Sequence, residues 1–401
     1  MILLFLILAA PLGAQFTSRG YLETRGLLFP QTAPNDSGHL IGEAILRWDA
    51  GYQAGNWRLN GAIDTRTDTH RQVERQARID WQDRSLQRPA FSLRRFSATY
   101  SSKGLTAEFG KQFIRWGKAD ILNPTDRFAP RDFLEVINSD FLGVVAARAT
   151  YEQGANTFDV VYTPRMTPSR APLANQRWVP PVDTGGFLVR DAGVRYPGAG
   201  QVGARWNHIG RGFEFSASFF EGFNHLPSLD LSLNPFTGGA AVSRFFPRLR
   251  MYGADAAVPL RWFTVKGEAG YFKSSDRRTD EFLLYVIQLE RQQGEWSFVG
   301  GYAGEYVTAA RNPLFFAPDR GIARTFLGRA GYTIDARRSI SLETAVRQSG
   351  KGAYVKGEYS QTFGQHWRAT AGFVLLAGSR TDFLGQYRRN SHGLLAVRYS
   401  F

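Results

Sequence analysis

Apolar and polar residues alternate with a period of two over segments of about ten to thirteen residues, along most of the chain. In Trp57–Arg66, Trp57, Leu59, Gly61 and Ile63 alternate with Arg58, Asn60, Asp64 and Arg66. Trp367, Ala369, Ala371, Phe373 and Leu375 alternate with Arg368, Thr370 and Gly372. Leu395, Val397, Tyr399 and Phe401 alternate with Ala396, Arg398 and Ser400. This is the period of strands with one apolar and one polar face, and no stretch repeats apolar residues at helical spacing over three turns. The polar face carries full charges in mid-strand, which excludes a conventional dry core on that side.

A soluble sandwich also alternates, so three further observations decide between architectures. The segments are longer than the ~5–6 residues usual in soluble sheets and match a tilted membrane-crossing strand. Eighteen are expected: 17–28, 40–53, 57–68, 91–101, 105–116, 142–152, 156–164, 199–208, 213–224, 244–258, 262–274, 280–292, 295–307, 323–333, 339–349, 352–362, 366–378 and 391–401. Links of a few residues alternate with long ones at 69–90, 117–141, 165–198, 225–243, 308–322 and 379–390. Short turns on one side and long loops on the other are the outer-membrane barrel arrangement. Aromatics gather beside the short turns on the apolar parity: Tyr52, Trp57, Tyr151, Phe158, Phe213, Trp262, Trp296, Tyr332 and Trp367. Amphipathic rings favour the headgroup level, so this row reads as an interfacial girdle. The expected fold is all-β: a transmembrane antiparallel up-and-down β-barrel of about 18 strands (16–18), with short periplasmic turns and long extracellular loops. The proline-rich region 165–198 is irregular and has room for a further strand at Gly186–Tyr196 or for a folded loop.

The first fourteen residues, ending in Gly13 and Ala14, read as a secretory signal without the usual basic start, leaving 15–401 as one barrel domain. The chain has no cysteine, which excludes disulfides, thiol chemistry and Cys-ligated zinc. No apolar run is long enough for a membrane-spanning helix. The mean hydropathy of −0.29 fits an alternating barrel with a wet interior.

The inward parity carries Arg47, Asp49, Arg58, Asp64, Arg95, Glu108, Arg148, Arg205, Glu214, Lys266, Glu268, Arg329, Glu343, Arg347 and Arg368 as expected pore-lining residues. A water-filled lumen removes the desolvation cost of so many charges, and sixteen to eighteen strands enclose one. In the connection 117–141, the third outer one when 29–39 is counted as the first, Trp116, Lys118, Asp120, Asn123, Asp126, Arg127, Arg131 and Asp132 are the expected constriction residues, with cations and carboxylates interleaved for salt bridging within the loop. By analogy with general porins, this loop folds into the barrel and narrows it.

Gly110-Lys-Gln112, Trp116-Gly117 and Asn123-Pro124-x-Asp126 resemble a segment of a porin-like family of outer-membrane barrels of uncharacterised function. Val265–Tyr271 is similar to a strand of such proteins, and Tyr399-x-Phe401 resembles the C-terminal signature recognised by the barrel-assembly machinery. The resemblance implies a porin-like or export barrel in the bacterial outer membrane, with Tyr399 and Phe401 as the assembly signal.

Other motifs carry less. Gly198-Ala-Gly200-Gln-Val-Gly203 runs into a strand rather than a helix, against dinucleotide binding. The six histidines show no metal-ligand spacing, and Ser391-His392 lacks an evident orienting carboxylate, so no metal, cofactor or catalytic residue is expected. The net charge of +14 suggests an anionic partner, but export, Glu74 within the basic stretch 70–78, and Asp80 and Asp83 after it disfavour nucleic acid. Summed over the expected outer loops the charge is +10, which would put most of the excess outside, beside lipopolysaccharide.

The leading expectation is a channel for passive or selective diffusion of small hydrophilic solutes, not an enzyme. Its partners would be outer-membrane lipid and lipopolysaccharide, the assembly machinery and the solute, with assembly into a homo-oligomer left open. The alternatives are a polysaccharide export barrel or, further off, a lipid-modifying enzyme or a structural lipopolysaccharide-binding barrel.

Overall fold

In the computed structural model, residues 15–76, 79–120, 122–179, 189–234, 239–312 and 317–401 are described. The signal-like start lies outside them. Eighteen long strands form the wall: β1 (Gln15–Leu28), β2 (Leu40–Ala54), β3 (Trp57–Asp68), β4 (Phe91–Ser102), β5 (Leu105–Gln112), β6 (Val144–Gln153), β7 (Asn156–Thr163), β8 (Gln201–Gly210), β9 (Phe213–Phe223), β10 (Arg248–Pro259), β11 (Thr264–Ser274), β12 (Glu281–Gln293), β13 (Trp296–Ala309), β14 (Thr325–Asp335), β15 (Arg338–Arg347), β16 (Gly352–Phe363), β17 (Trp367–Gly378) and β18 (His392–Ser400). Each pairs antiparallel with its sequence neighbours. The ring closes where β1 pairs β18 from Tyr21↔Ser400 to Leu28↔Gly393. Beyond that ladder, the Gly20 and Phe401 backbones exchange hydrogen bonds of 2.9 and 3.0 Å. A closed barrel leaves no unpaired edge in hydrocarbon.

Alternation puts one face of every strand outward. Leu395 is 68% exposed, Ile287 54% and Leu375 53%; such residues form the band that meets lipid. The turn-side aromatics also point out and pair across strands. Trp57 lies 5.0 Å from Tyr100, Trp296 4.6 Å from Tyr332, and Trp367 5.0 Å from Tyr399. The two-residue turns place Gly55 and Gly154 at φ +54° and +59°, a region open to glycine without a Cβ clash.

Two strand ends differ from expectation by four residues, and the others by two at most. β5 stops at Gln112 rather than 116, because the chain there leaves the wall for the lumen. β10 begins at Arg248 rather than 244. The residues before it, Gly239–Phe245, belong to an outer three-stranded sheet with Val189–Arg195 (parallel) and Ser228–Asn234 (antiparallel). The strand expected at Gly186–Tyr196 is thus present over Val189–Arg195, but it joins this loop sheet and leaves the barrel count at eighteen; residues 186–188 lie outside the described residues.

Candidate constriction and lumen

The described residues of the connection between β5 and β6, 113–120 and 122–143, run inside the barrel. Its entry is built by the Gly-Lys-Gln, Trp-Gly and Asn-Pro-x-Asp residues. Gly110 has φ +115°, and a Cβ there would lie 2.3 Å from the Phe96 carbonyl oxygen, so only glycine fits against the neighbouring strand. The Gln112 amide donates to the Ala146 carbonyl at 3.1 Å. One oxygen of Asp126 accepts the Trp116 and Gly117 backbone N–H groups at 2.5 and 2.7 Å, and the Asn123 amide donates to the Ala119 carbonyl. These bonds satisfy an irregular turn that could not be buried otherwise.

The wall then fastens the turn. Glu268 on β11, only 2% exposed, accepts hydrogen bonds from Lys118 N (3.0 Å), Ala119 N (3.1 Å), Thr125 N (2.9 Å) and Thr125 Oγ1 (2.8 Å). Gln288 on β12 accepts from Asp120 N at 2.9 Å, and the Trp116 indole donates to Asp159 on β7 at 3.0 Å. Lys118 Nζ reaches Glu214 on β9 at 2.8 Å and Asp255 on β10 at 3.1 Å. Lys266 bridges Asp120 and Glu290. Beneath the loop, Ile114, Trp116 and Phe128 pack on the inward residues Val161, Phe220, Met251, Phe272 and Leu284. The wall under the loop thus combines an apolar patch with the charged and amide groups that hold it.

The loop's far arm carries a short hairpin, Arg131–Asp132 with Asp140–Phe141. Asp132 lies between Arg88 from the second long connection (2.9 Å) and Arg170 from the fourth (3.2 Å). Asp83 joins Arg170 at 2.7 Å and Lys111 at 2.5 Å. All five side chains are nearly inaccessible. Burial opposes ionisation of Asp132, but Arg88 and Arg170 outweigh it and hold the carboxyl far below the usual carboxylate range. Asp140 is likewise depressed against burial by Arg94, Arg47 and Arg66, and with Asp64 these form a cluster on β2, β3 and β4. Glu135 meets Arg25 on β1 at 3.1 Å, while Val136 and Ile137 pack beside Ala345 and Tyr354. The loop thus reaches across the lumen to the opposite wall.

Residues 176–178 of the fourth connection reach the same wall. Trp178 is buried among Tyr354, Val374, Leu376, Leu384 and Tyr387. Arg177 pairs with Asp36 of the first connection, its backbone carbonyl accepts from Asn390, and Gln176 donates to the His70 carbonyl.

The expected wall residues distribute as follows. Arg47 and Asp64 pair at 2.6 Å, Arg95 with Glu108 at 3.1 Å, Arg148 with Asp159 at 2.6 Å, and Arg205 with Asp255 at 3.0 Å. Arg347 meets Asp382 at 3.2 Å and donates to the Gly321 and Ala323 carbonyls. Arg58 donates to Gln53, Asp49 sits across from Ala62 on β3, and Glu343 is the cross-strand partner of Arg329 and Lys356. Glu214, Lys266 and Glu268 hold the loop.

Three expectations need correction. The constriction loop does not salt-bridge mainly within itself. Among the described residues only Asp126 pairs inside it, with Arg115 at 3.3 Å; Lys118, Asp120 and Asp132 pair with the wall or other loops. Arg127 donates to Asn224 and covers Phe272, and burial pushes its guanidinium down to about 10, with Asp319 and Asp126 opposing. Arg131 stacks on Phe141 and reaches Ser139. Secondly, strict parity missed Arg94: a bulge between the Ala62↔Arg95 and Ile63↔Leu93 pairs turns both Arg94 and Arg95 inward. Thirdly, the outer-loop charge does not all face outward. Arg88, Arg170 and Arg177 are buried in ion pairs, their loops having folded into the barrel. Lys111, Arg170, Glu135, Asp140 and Gln288 carried no signal of these contacts, since their partners lie far away in the chain.

On the turn side the lumen opens into a cavity lined by Arg329, Arg368, Arg398, Glu23, Glu358 and the hydroxyls of Ser341, Ser360 and Thr370. Arg368 stands directly across from Arg398, a like-charged pair. Arg398 is balanced by Glu23 at 2.6 Å, whereas Arg368 and Arg329 make no ion pair with any described residue.

These features define a class: an eighteen-stranded barrel of outer-membrane type, apolar outside and charged inside, whose third and fourth long connections fold into its lumen. Solved structures share this fold across nearly their full length. OccAB4 of Acinetobacter baumannii matches with TM-score 0.57 and 8% identity, over 96% of this chain and 98% of that chain. A BenF-like porin from Pseudomonas fluorescens Pf-5 matches with TM-score 0.56 and 9% identity, over 97% and 98%. OpdQ of Pseudomonas aeruginosa matches with TM-score 0.54 and 10% identity, over 98% and 99%. No protein-family model and no curated protein matches the sequence.

Proposed function

We propose that the chain is a bacterial outer-membrane channel through which small hydrophilic solutes diffuse, the inward connections setting the size limit and the charged wall the selectivity. The observation that carries this reading is the Glu268-centred clamp, which holds a hydrogen-bonded loop inside a lumen otherwise lined with ion pairs. A filter of this kind combines a constriction with fixed charges. Two connections crossing the lumen favour small solutes over an exported polymer. Trp116, Lys118, Asp120, Asn123, Asp126, Arg127, Arg131 and Asp132 are read as constriction residues, and the fifteen wall residues as pore-lining. Tyr399 and Phe401 are read as the assembly signal, supported by their place at the β1–β18 closure. The chemistry of the lumen supports transport rather than catalysis.

The test is planar-bilayer conductance of the refolded chain. Stable unitary currents that small hydrophilic solutes block are expected. A folded barrel that inserts without conducting would refute the reading.

A further inference from the structure

Lipid-facing positions on the outer halves of the wall strands are almost entirely apolar, aromatic or small. Among the described residues the exception is one arc. Arg248 and Arg250 on β10 and Lys273 on β11 have the outward parity of Tyr252 and Tyr271, and all three cations are exposed. Arg250 and Lys273 are direct cross-strand partners. Glu221 on β9 pairs with Arg250 at 3.2 Å and with Arg248 at 2.5 Å, so the arc keeps an excess of two positive charges.

Its height is set by the strand. Arg250 lies nine residues from Pro259 at the turn end of β10. At ~3.3 Å per residue and a tilt of ~40°, it stands about 23 Å above that end, close to the ~25 Å height of the apolar band. The ring row directly below agrees. Tyr252 and Tyr271 are cross-strand partners, and Tyr252 lies 5.5 Å from Phe219. Aromatic rings mark the interface, so the cations sit at the outer-leaflet headgroups. A cation cluster facing lipid at the midplane would be costly, whereas at the interface the cost nearly vanishes and an anionic headgroup makes it favourable.

We propose that this arc is a binding site for an anionic glycolipid of the outer leaflet, its phosphate held by Arg248, Arg250 and Lys273 and its acyl chains lying on Tyr252, Tyr271 and Phe219. Guanidinium groups match phosphate oxygens bidentately, and Glu221 accepts from both arginines, which gathers them at one point of the arc. A second copy of the chain fits less well, since like cations would face one another in an isologous contact.

The full chain, refolded in a zwitterionic detergent, is titrated with diphosphoryl lipid A and read by native mass spectrometry. The wild type is expected to retain the glycolipid in a salt-sensitive manner and to prefer it to phosphatidylcholine. The R248Q/R250Q/K273Q variant should bind about a hundredfold more weakly, roughly fivefold for each cation removed near an anionic headgroup. R261Q/R291Q, which changes two arginines stacked on Trp262 at the opposite rim, should bind as the wild type does. Equal binding by the triple variant and the wild type would overturn the proposal, as would equal retention of phosphatidylcholine or cross-linking of two copies through this arc. The triple variant should conduct normally, so failure here and failure of the channel reading are distinguishable.

Discussion

Replacing Glu268 with alanine tests how the loop is held in the lumen. The carboxylate is the common acceptor for three backbone amides and one hydroxyl, from Lys118, Ala119 and Thr125. A hydrogen bond to a charged group contributes ~1.5–3 kcal/mol, so four set an upper bound of about 6–12 kcal/mol. The true loss is smaller, because water entering the lumen re-solvates the freed groups, and Asp126, Asp159 and Gln288 still hold neighbouring atoms. About 2–4 kcal/mol is reasonable, which raises the detached population of the loop about 30- to 1,000-fold. The barrel ladder is untouched, so the fold survives. Single-channel recording should show a larger conductance with frequent transitions, and limited proteolysis should cut within 113–143, which the wild type protects. Wild-type conductance together with wild-type protease resistance in E268A would refute the reasoning.

Asp132→Asn removes the charge that balances Arg88 and Arg170 in a buried site, and should cost the docked loop about 3–5 kcal/mol; hydrogen exchange over residues 128–143 reads this as lost protection. The folded carboxyls of Asp132 and Asp140 titrate below their unfolded values, so their contribution is present above about pH 4 and lost only as pH falls through the depressed folded values. Conductance should accordingly stay level from pH 8 to pH 5, and a step within that window would contradict the assignment. Neutralising Arg329 and Arg368 to glutamine should move the reversal potential in a salt gradient toward cation preference, since neither makes an ion pair with a described residue. Deleting Phe401 removes the backbone pair with Gly20 and should lower the yield of heat-resistant folded barrel on gels.

The wall was legible because its signal is local. In an up-and-down barrel each strand pairs with the next, so alternation, turn glycines and turn-side aromatics such as Trp57, Trp296 and Trp367 suffice to place it. Inward parity likewise located Arg148, Arg205, Glu214 and Glu268 on the lumen wall. Parity failed at Arg94 because a bulge, invisible in composition, adds one residue to β4 and turns two neighbours the same way.

Partners were not legible. Lys118 and Glu268 are 150 residues apart, Gln176 and His70 106, and Asn390 and Arg177 213. No periodicity links such positions. Pairing the loop's charges with their nearest sequence neighbours was therefore the wrong rule, and Lys118, Asp120 and Asp132 all found carboxylates or cations elsewhere. By itself, then, the sequence determined a closed barrel of sixteen to eighteen strands with two unlike ends and a polar inner face, because alternation and short turns act over a few residues. Only the tertiary structure decided what occupies that interior. The basic excess of the long connections faces outward or inward according to whether each loop finds buried hydrogen-bond acceptors across the lumen, and that is a property of distant residues brought together by closure.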